Sequence, residues 1–323
     1  MLTVSAVILT YNRKQLLAEC LEAVTGQSRP VDRIIVVDNA GTDGTAEWLT
    51  REWGDRVELY RLPKNVGASG GFNMAMRIGY ERGEDAIWVM DDDVIPAPDA
   101  LERLIEADEK LASRDIPAPF VISTAWTPDG ELTNVPAVDG RRNKLSYSKW
   151  PSLLGEGLVP VSRATFVSIL LKREAMREYG LPISEMFMWA EDSEYTMRLT
   201  RAHPGYLVGA SRVLHIRSAP GVLDIRTEHD PIRIGNHFYL RRNRMYLRRR
   251  KGWKAAARVM YQQSRRALKL LSQGESRKAR VIIAGSWAGL FFNPKIPGVD
   301  TPCDLARLRV RADAPVTEHA RAA

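Results

Sequence analysis

The chain of 323 residues is 45% hydrophobic and 27% charged, enough apolar material for one large domain or two modest ones and too much for a disordered or fibrous chain. Its cysteines, Cys20 and Cys303, are too few for a disulfide framework and too far apart to read as a thiolate metal site, which points to a reducing compartment. A formal net charge of +8 admits nucleic acid, anionic lipid or a phosphorylated substrate, and charge alone does not choose among them.

The opening MLTVSAVILTYNR is interrupted by Tyr11, Asn12 and Arg13 and has no small-residue cleavage site after a basic start, so a first β-strand is expected rather than a signal peptide. Residues 4–9 form that strand, 14–24 a helix, 33–37 a second strand, 45–53 a helix and 57–61 a short strand. A helix over 69–82 is opened by Gly67, Gly70 and Gly71, and a fourth strand over 86–90 runs onto Asp91, Asp92 and Asp93. This alternation requires an α/β fold, with a mostly parallel central sheet and helices on both faces. Ligands in such sheets sit beyond the carboxyl ends of the strands, where helix N-termini point their amides at the site. Thr10, Asp38, Asn65 and the three aspartates all lie at or just after expected strand ends, so four segments converge on one rim.

Further on, a helix is expected over 99–111 with Asp99 as its cap. A strand near 121–126, an irregular excursion over 129–158, an apolar strand over 166–171 and a carboxylate-rich helix start in FMWAEDSEYTMRLTR follow. Residues 206–214 read as a strand leading to His215. From about Pro231 the chain changes to long, basic, amphipathic helices over 236–247 and 253–271, and the apolar run 281–292 has the length of a buried helix. Nowhere do apolar residues run together far enough to span a membrane. The expected division is a catalytic domain over 1–230, with a nucleotide-binding part over 1–95 and an acceptor-binding, catalytic part over 96–230. A basic helical region over 231–310 and a flexible tail over 311–323 complete the chain.

Three adjacent carboxylates repel one another, so the run at the strand end is best explained by a hard divalent cation, magnesium or manganese, able to bridge to a diphosphate; a solvated acidic turn is the bland alternative. Alternate residues of an extended segment face the same way, which makes Asp91 and Asp93 a natural same-side pair. Asp38 accepts from a base or ribose, or else forms an Asx-turn. The run NVGASGGFN, from Asn65, lets backbone approach a ligand closely, with a purely structural turn equally open. Glu191, Asp192 and Glu194 offer a general base for an attacking hydroxyl, or simply acids favoured at a helix N-terminus. His215 is either a nitrogen ligand or a structural histidine.

Together SAVILTYNR, VVDNAGTDGT, NVGASGGFN, VMDDDV, the ED pair of WAEDSEY and HIR at His215 resemble the large inverting, metal-dependent glycosyltransferase family 2, of the GT-A type, over roughly residues 3–217. The downstream YLRRNRMYLRRR makes the pattern most similar to bacterial galactofuranosyltransferases that initiate cell-wall galactan, and rhamnosyltransferases of the family carry closely similar segments. The resemblance implies a GT-A nucleotide-diphospho-sugar transferase fold, a Mn2+ or Mg2+ cofactor and a UDP-linked donor, with a dTDP-linked one as the alternative. It assigns Thr10, Tyr11, Arg13, Asp38, Asn65, Gly70, Asp91 and Asp92 to the donor, and Asp93, His215 and Asp91 to the metal. The register of the triplet stays open by one position, since Asp92 and Asp93 correspond most closely to the family's metal and ribose aspartates. Asp192 is the implied catalytic base, with Trp126, Trp189 and Glu191 toward the acceptor.

The implied reaction is a direct, inverting displacement that moves galactofuranose from UDP-galactofuranose onto a lipid-linked envelope glycan. Arg241, Arg242, Arg248, Arg249, Arg250 and Lys251 suit an anionic membrane surface or the acceptor's own diphosphate, with a solvated helical face or contact with a second copy of the chain as alternatives. The implied location is cytoplasmic, peripheral on the inner face of a bacterial plasma membrane. A nucleotidyltransferase is disfavoured because the early segment is TYNR rather than a glycine- and basic-rich loop. Nucleic acid is not an expected partner, because the acidic strand-end cluster would oppose phosphate.

Overall fold

The computed structural model describes residues 2–216 and 223–310; the expected tail over 311–323 and Arg217 of the HIR segment lie outside the described residues. The chain runs β1 (Val4–Thr10), α1 (Lys14–Thr25), β2 (Arg33–Asp38), α2 (Thr45–Glu52), β3 (Glu58–Arg61), α3 (Gly67–Arg82), β4 (Ala86–Asp91), β5 (Val94–Pro96), α4 (Ala100–Ala112), β6 (Phe120–Trp126), β7 (Leu132–Thr133), β8 (Ala137–Val138), β9 (Leu158–Arg163), β10 (Ile169–Lys172), α5 (Arg173–Tyr179), α6 (Glu191–Leu199), β11 (Gly205–His215), α7 (Pro231–Arg249), α8 (Trp253–Ser272), α9 (Ser276–Phe291) and β12 (Arg309–Val310). None of these helices is long and apolar enough to cross a membrane.

One sheet carries the fold, in the order β12-β3-β2-β1-β4-β10-β6-β11-β9-β8, with β5 added to β11 and β7 to β6. β3, β2, β1 and β4 are parallel, as the strand–helix alternation of the first ninety residues requires. Beyond β4 the pairing turns: β10 runs against both β4 and β6, and β11 is parallel to β6 but antiparallel to β9 and β5. The sheet is therefore mixed, not mostly parallel, because the second half lacks the regular crossover helices that parallel neighbours need. Every residue of β1 is buried. Its Val4, Ala6 and Ile8 face a core shared with Leu17, Leu21, Leu104 and Trp88, while Val7 and Leu9 face Phe72, Met76, Ile169 and Tyr195.

Two expectations change at the ends of elements. Asp99 makes no capping bond to α4; its carboxylate accepts from Arg103 Nε at 3.0 Å instead. The apolar run at 281–292 is only half buried: Gly285, Ser286 and Gly289 face α7, whereas Trp287 and Phe291 are 60% and 70% exposed. The helical region also ends earlier than expected. After Phe291 the chain returns to the sheet, where Arg77 of α3 holds the carbonyls of Gly298, Val299 and Thr301 and β12 pairs antiparallel with β3. Phe292 still packs on α7, and residues 298–301 and 309–310 are bonded to α3 and β3.

Candidate active site

The strand β4 ends on its carboxylates at the rim, and the expected alternation holds. Asp91 and Asp93 line one cleft of about 1180 Å³, while Asp92 turns toward the loop after β1. Asp92 Oδ2 accepts from Thr10 Oγ1 at 2.7 Å and from the Tyr11 amide at 3.3 Å, and Arg13 Nη1 reaches both Asp92 Oδ1 at 3.2 Å and Asp93 Oδ2 at 2.6 Å. Burial pushes Asp92 up to about 6 against the guanidinium beside it, and burial with the two neighbouring charges raises Asp91 well above the usual carboxylate range. Burial would raise Asp93 too, but His215 and Arg13 outweigh it and hold its carboxyl down. His215 Nε2 stands 3.3 Å from Asp93 Oδ1, and its Nδ1 is 2.8 Å from Asn134 Oδ1, which fixes the ring.

No three His, Cys, Asp or Glu side chains among the described residues gather as a metal cage. The donor set nevertheless fits a hard cation. Asp93 Oδ1 is buried with only His215 Nε2 beside it among the described residues, at 3.3 Å, and Asp91 and His215 line the same cleft. One or two carboxylates completed by substrate phosphates is the usual way such a cation is held.

Trp189, Ala190, Glu191, Asp192 and Ser193 line the same cleft as this rim. They sit at the start of α6, where Phe187, Trp189 and Ala190 all have positive φ, of 62°, 61° and 73°. Non-glycine residues in that region cost about 1–3 kcal/mol each unless the surroundings hold them. The surroundings here are α7: Asn243 Nδ2 lies 2.9, 3.0 and 2.8 Å from the carbonyls of Met186, Met188 and Trp189, and Arg242 Nη2 bonds those of Glu185 and Met186. Burial raises both Glu191, to about 8, and Asp192, and the adjacent charge adds to the rise at Glu191. The Ser193 amide, which donates to Asp192 Oδ1, and the charges of Arg163 and Arg244 partly oppose the rise at Asp192. Glu194 takes no part in the cleft. It forms a buried ion pair with Arg198, whose guanidinium also holds the carbonyls of Tyr179 and Leu181.

The remaining expected residues divide. Asp38 is fully buried at the end of β2, accepts from the Gly41 amide at 2.7 Å, and keeps Oδ2 without a hydrogen bond 3.5 Å from Arg61 Nε. Thr10, Tyr11 and Asp38 thus share the rim beside the aspartates, joined by Asn39, which accepts from the Val66 amide at 3.0 Å and donates to Asn65 Oδ1 at 3.2 Å. Asn65 closes its own turn by accepting from the Gly67 amide. Gly70 does not reach the cleft: a Cβ there would meet Val66 at 2.7 Å, and Gly71 and Gly67 pack as closely on Leu9 and Phe187, so the glycine run serves packing. Trp126 is absent from the cleft lining and ends β6 between β7 and β11.

The basic stretch also divides. Arg242 and Arg249 turn inward, the latter donating to the carbonyls of Leu290 and Phe292, so neither is free for a membrane surface. Arg241 is 5% exposed and lines the cleft with Arg248 and Lys251, while Arg250 lies against Tyr246. A charge run in sequence says nothing of which helical face each residue takes. Asn134 and Arg163 carried no motif signal and emerge only from the packing, and within YLRRNRMYLRRR nothing marked the separate parts played by Asn243 and Arg244.

A family model described as glycosyl transferase family 2 matches residues 5–180. The chain is 30% identical over 205 residues to galactofuranosyltransferase GlfT1 of Mycolicibacterium smegmatis, covering 62% of this chain and 66% of that one, just under two thirds of its length. It is 31% identical over 138 residues to the undecaprenyl-phosphate mannosyltransferase of Micrococcus luteus, covering 41% and 52% of the two chains. A crystal structure of GalNAc-T7 with UDP, GalNAc and Mn2+ superposes with a TM-score of 0.52 at 17% identity, over 75% of this chain and 47% of that one. Such a likeness speaks for the fold, of the GT-A type.

Proposed function

Since the chain belongs to glycosyl transferase family 2, we propose that it is a divalent-metal-dependent, inverting transferase that moves galactofuranose from UDP-galactofuranose onto a lipid-linked glycan. The observation that carries this reading is that one cleft is lined both by a rim suited to a cation (Asp91, Asp93 and His215, with Arg13 beside it) and by a separate carboxylate pair, Glu191 and Asp192. The choice of sugar leans on the galactofuranosyltransferase relative, and the lipid-linked acceptor on that relative and the undecaprenyl-phosphate one.

In this mechanism Asp38 and the loop from Thr10 to Arg13 seat the nucleoside, with Asp92 acting through Thr10 and the Tyr11 amide to hold that loop in place. Asp93 and His215, with Asp91, would hold Mg2+ or Mn2+, which supplies positive charge for the leaving diphosphate. Arg13 adds its own charge on that side. Asp192 takes the proton of the attacking hydroxyl as that oxygen displaces the diphosphate, and the configuration at the anomeric carbon inverts, as in the family the chain belongs to. Glu191, raised to about 8, is protonated at neutral pH and so adds no like charge beside Asp192. Trp189 offers a flat apolar surface for an acceptor sugar on the same wall.

A peripheral position on a membrane fits the outer faces of α8 and α9, where Trp253, Tyr261, Leu268, Trp287 and Phe291 are exposed among arginines and lysines. The purified protein should be assayed with Mn2+ or Mg2+ for hydrolysis of, and transfer from, UDP-galactofuranose, UDP-galactopyranose, UDP-glucose and dTDP-rhamnose. Asp192→Asn is expected to lower turnover of the accepted donor by about 10²–10⁴-fold, with metal-dependent UDP binding retained. Silence on all four donors, together with no metal-dependent UDP binding, would overturn the reading.

A further inference from the structure

Beyond the rim and the carboxylate pair, the cleft has a third wall that the reaction as described does not use. Arg163 at the end of β9, Arg241, Arg244 and Arg248 of α7, Lys251 after it and Arg266 of α8 all line the cleft. None of the six has an ion-pair partner or a side-chain hydrogen bond among the described residues. The nearby acids are engaged elsewhere: Asp224 pairs with Arg226 and Glu228 with Arg233. Arg241 is 5% exposed, and its Nε is buried with no partner among the described residues. Gln263, equally enclosed on the same wall, has an unpartnered Oε1. Arg163, Arg244, Arg248, Lys251 and Arg266 are open to solvent, whereas Arg241 is enclosed; burial first, then Arg244 and Arg266, pulls Arg241 down to about 10. With no ion-pair partner for any of its six cations among the described residues, and with Arg241 Nε and Gln263 Oε1 unpartnered within it, the wall offers a site for an anion that arrives with a ligand.

The wall's position says which ligand. Arg163 precedes Ala164, whose amide and carbonyl both bond Thr196 of α6, and Arg244 follows Asn243, which holds the Trp189 carbonyl just before Glu191, whereas Arg13 sits on Asp92 and Asp93. The cationic wall therefore adjoins the helix that carries the general base, and the leaving diphosphate has its own partners at the aspartate rim. Guanidinium groups match phosphate oxygens in paired hydrogen bonds, so several of them on a concave wall select a compact, multiply charged phosphate over a single carboxylate. A flat bilayer surface cannot reach the buried Arg241; a group entering the cleft can.

We propose that Arg163, Arg241, Arg244, Arg248, Lys251 and Arg266 form a second anion site, which takes a phosphate or diphosphate carried by the acceptor and so sets its hydroxyl toward Asp192. The assignment to an acceptor rests on the transferase reading above; the anion site itself does not.

Calorimetric titration with inorganic pyrophosphate in the presence of a chelator tests it, since without a cation the aspartate rim repels the probe. The wild-type protein is expected to bind pyrophosphate. The double variant Arg248→Gln/Arg266→Gln should bind at least tenfold more weakly, whereas Arg248→Lys/Arg266→Lys, which keeps the charge, and Asp91→Asn/Asp93→Asn should hold most of the affinity. No binding by the wild type, or equal loss in the aspartate variant, overturns the site. Vesicles of phosphatidylglycerol and phosphatidylcholine supply the same chemistry from a headgroup and should not displace the probe; displacement would assign the wall to the membrane and overturn the acceptor. Metal-dependent donor turnover in a wild-type protein that ignores pyrophosphate sinks this inference alone. Pyrophosphate binding with neither turnover of any donor nor metal-dependent UDP binding sinks the transferase reading, and the acceptor assignment with it.

Discussion

At the scale of single residues, the catalytic pair depends on side chains that touch no substrate. Asn243 is fully buried and lies against three carbonyls of the strained turn before Glu191. An unsatisfied buried polar group costs about 1–3 kcal/mol, enough to let that turn relax. Asn243→Ala is therefore expected to lower kcat by about tenfold or more, on the same scale, while UDP affinity measured by titration holds, because the donor rim lies on the other wall. His237, also fully buried, lies against Trp189 with ring centroids 5.2 Å apart and planes tilted by 53°, and neither ring nitrogen has a partner among the described residues. Burial, then Arg241, pulls it down to about 4. The neutral ring is the one the fold tolerates, so its contribution to stability is present above about 6.5, the ordinary histidine value, and is lost as pH falls from there through about 4. Chemical unfolding across pH 4–7 should show that decline, and His237→Phe should flatten it.

At the scale of elements, α7 links the C-terminal helices to the chemistry. Its inner face holds the Met186–Trp189 turn, and its other side accepts α9 at close range through Gly285 and Gly289. A Cβ at Gly285 would come within 2.5 Å of the Phe238 carbonyl, and one at Gly289 within 2.4 Å of that of Arg242. Since neither neighbour is a flexible side-chain end, Gly289→Val should destabilise by at least about 1–3 kcal/mol, the ordinary penalty of overpacking, seen as a lowered thermal midpoint. Because Arg242 and Asn243 sit at that contact, donor turnover should fall with it. The first four parallel strands and their helices were legible from periodicity alone, because each is a run of local alternation. The antiparallel second half was less so. Its strands are short, its loops long, and β10 is placed by pairing with strands about fifty and eighty residues away rather than by a neighbouring helix.

At the scale of the whole molecule, the chain returns to its beginning after the helices. Arg77 fastens residues 298–301 to α3 by three hydrogen bonds to backbone carbonyls, at 2.8, 2.7 and 3.1 Å, and β12 closes the sheet edge beside β3. Arg77→Ala leaves those carbonyls without their donor, so limited proteolysis is expected to cut within residues 292–310 faster than in the wild type, with the N-terminal strands still protected. Intact wild-type cleavage kinetics in the variant would show that the return is held by β12 and Val299 instead. The sequence by itself determined the fold class, the parallel first half and the carboxylates at strand ends, because hydrophobic period and the rigid alternation of a strand act over a few residues. It also determined that Asp91 and Asp93 share a side. Only the tertiary structure decided that Gly70 serves packing, that Glu194 belongs to Arg198, that Arg242 and Arg249 are bound to carbonyls, and that Arg163, Arg244 and Arg266 meet on one wall. Those are contacts between residues far apart in sequence, and a pattern read along the chain carries a residue's charge without saying what folds back to face it.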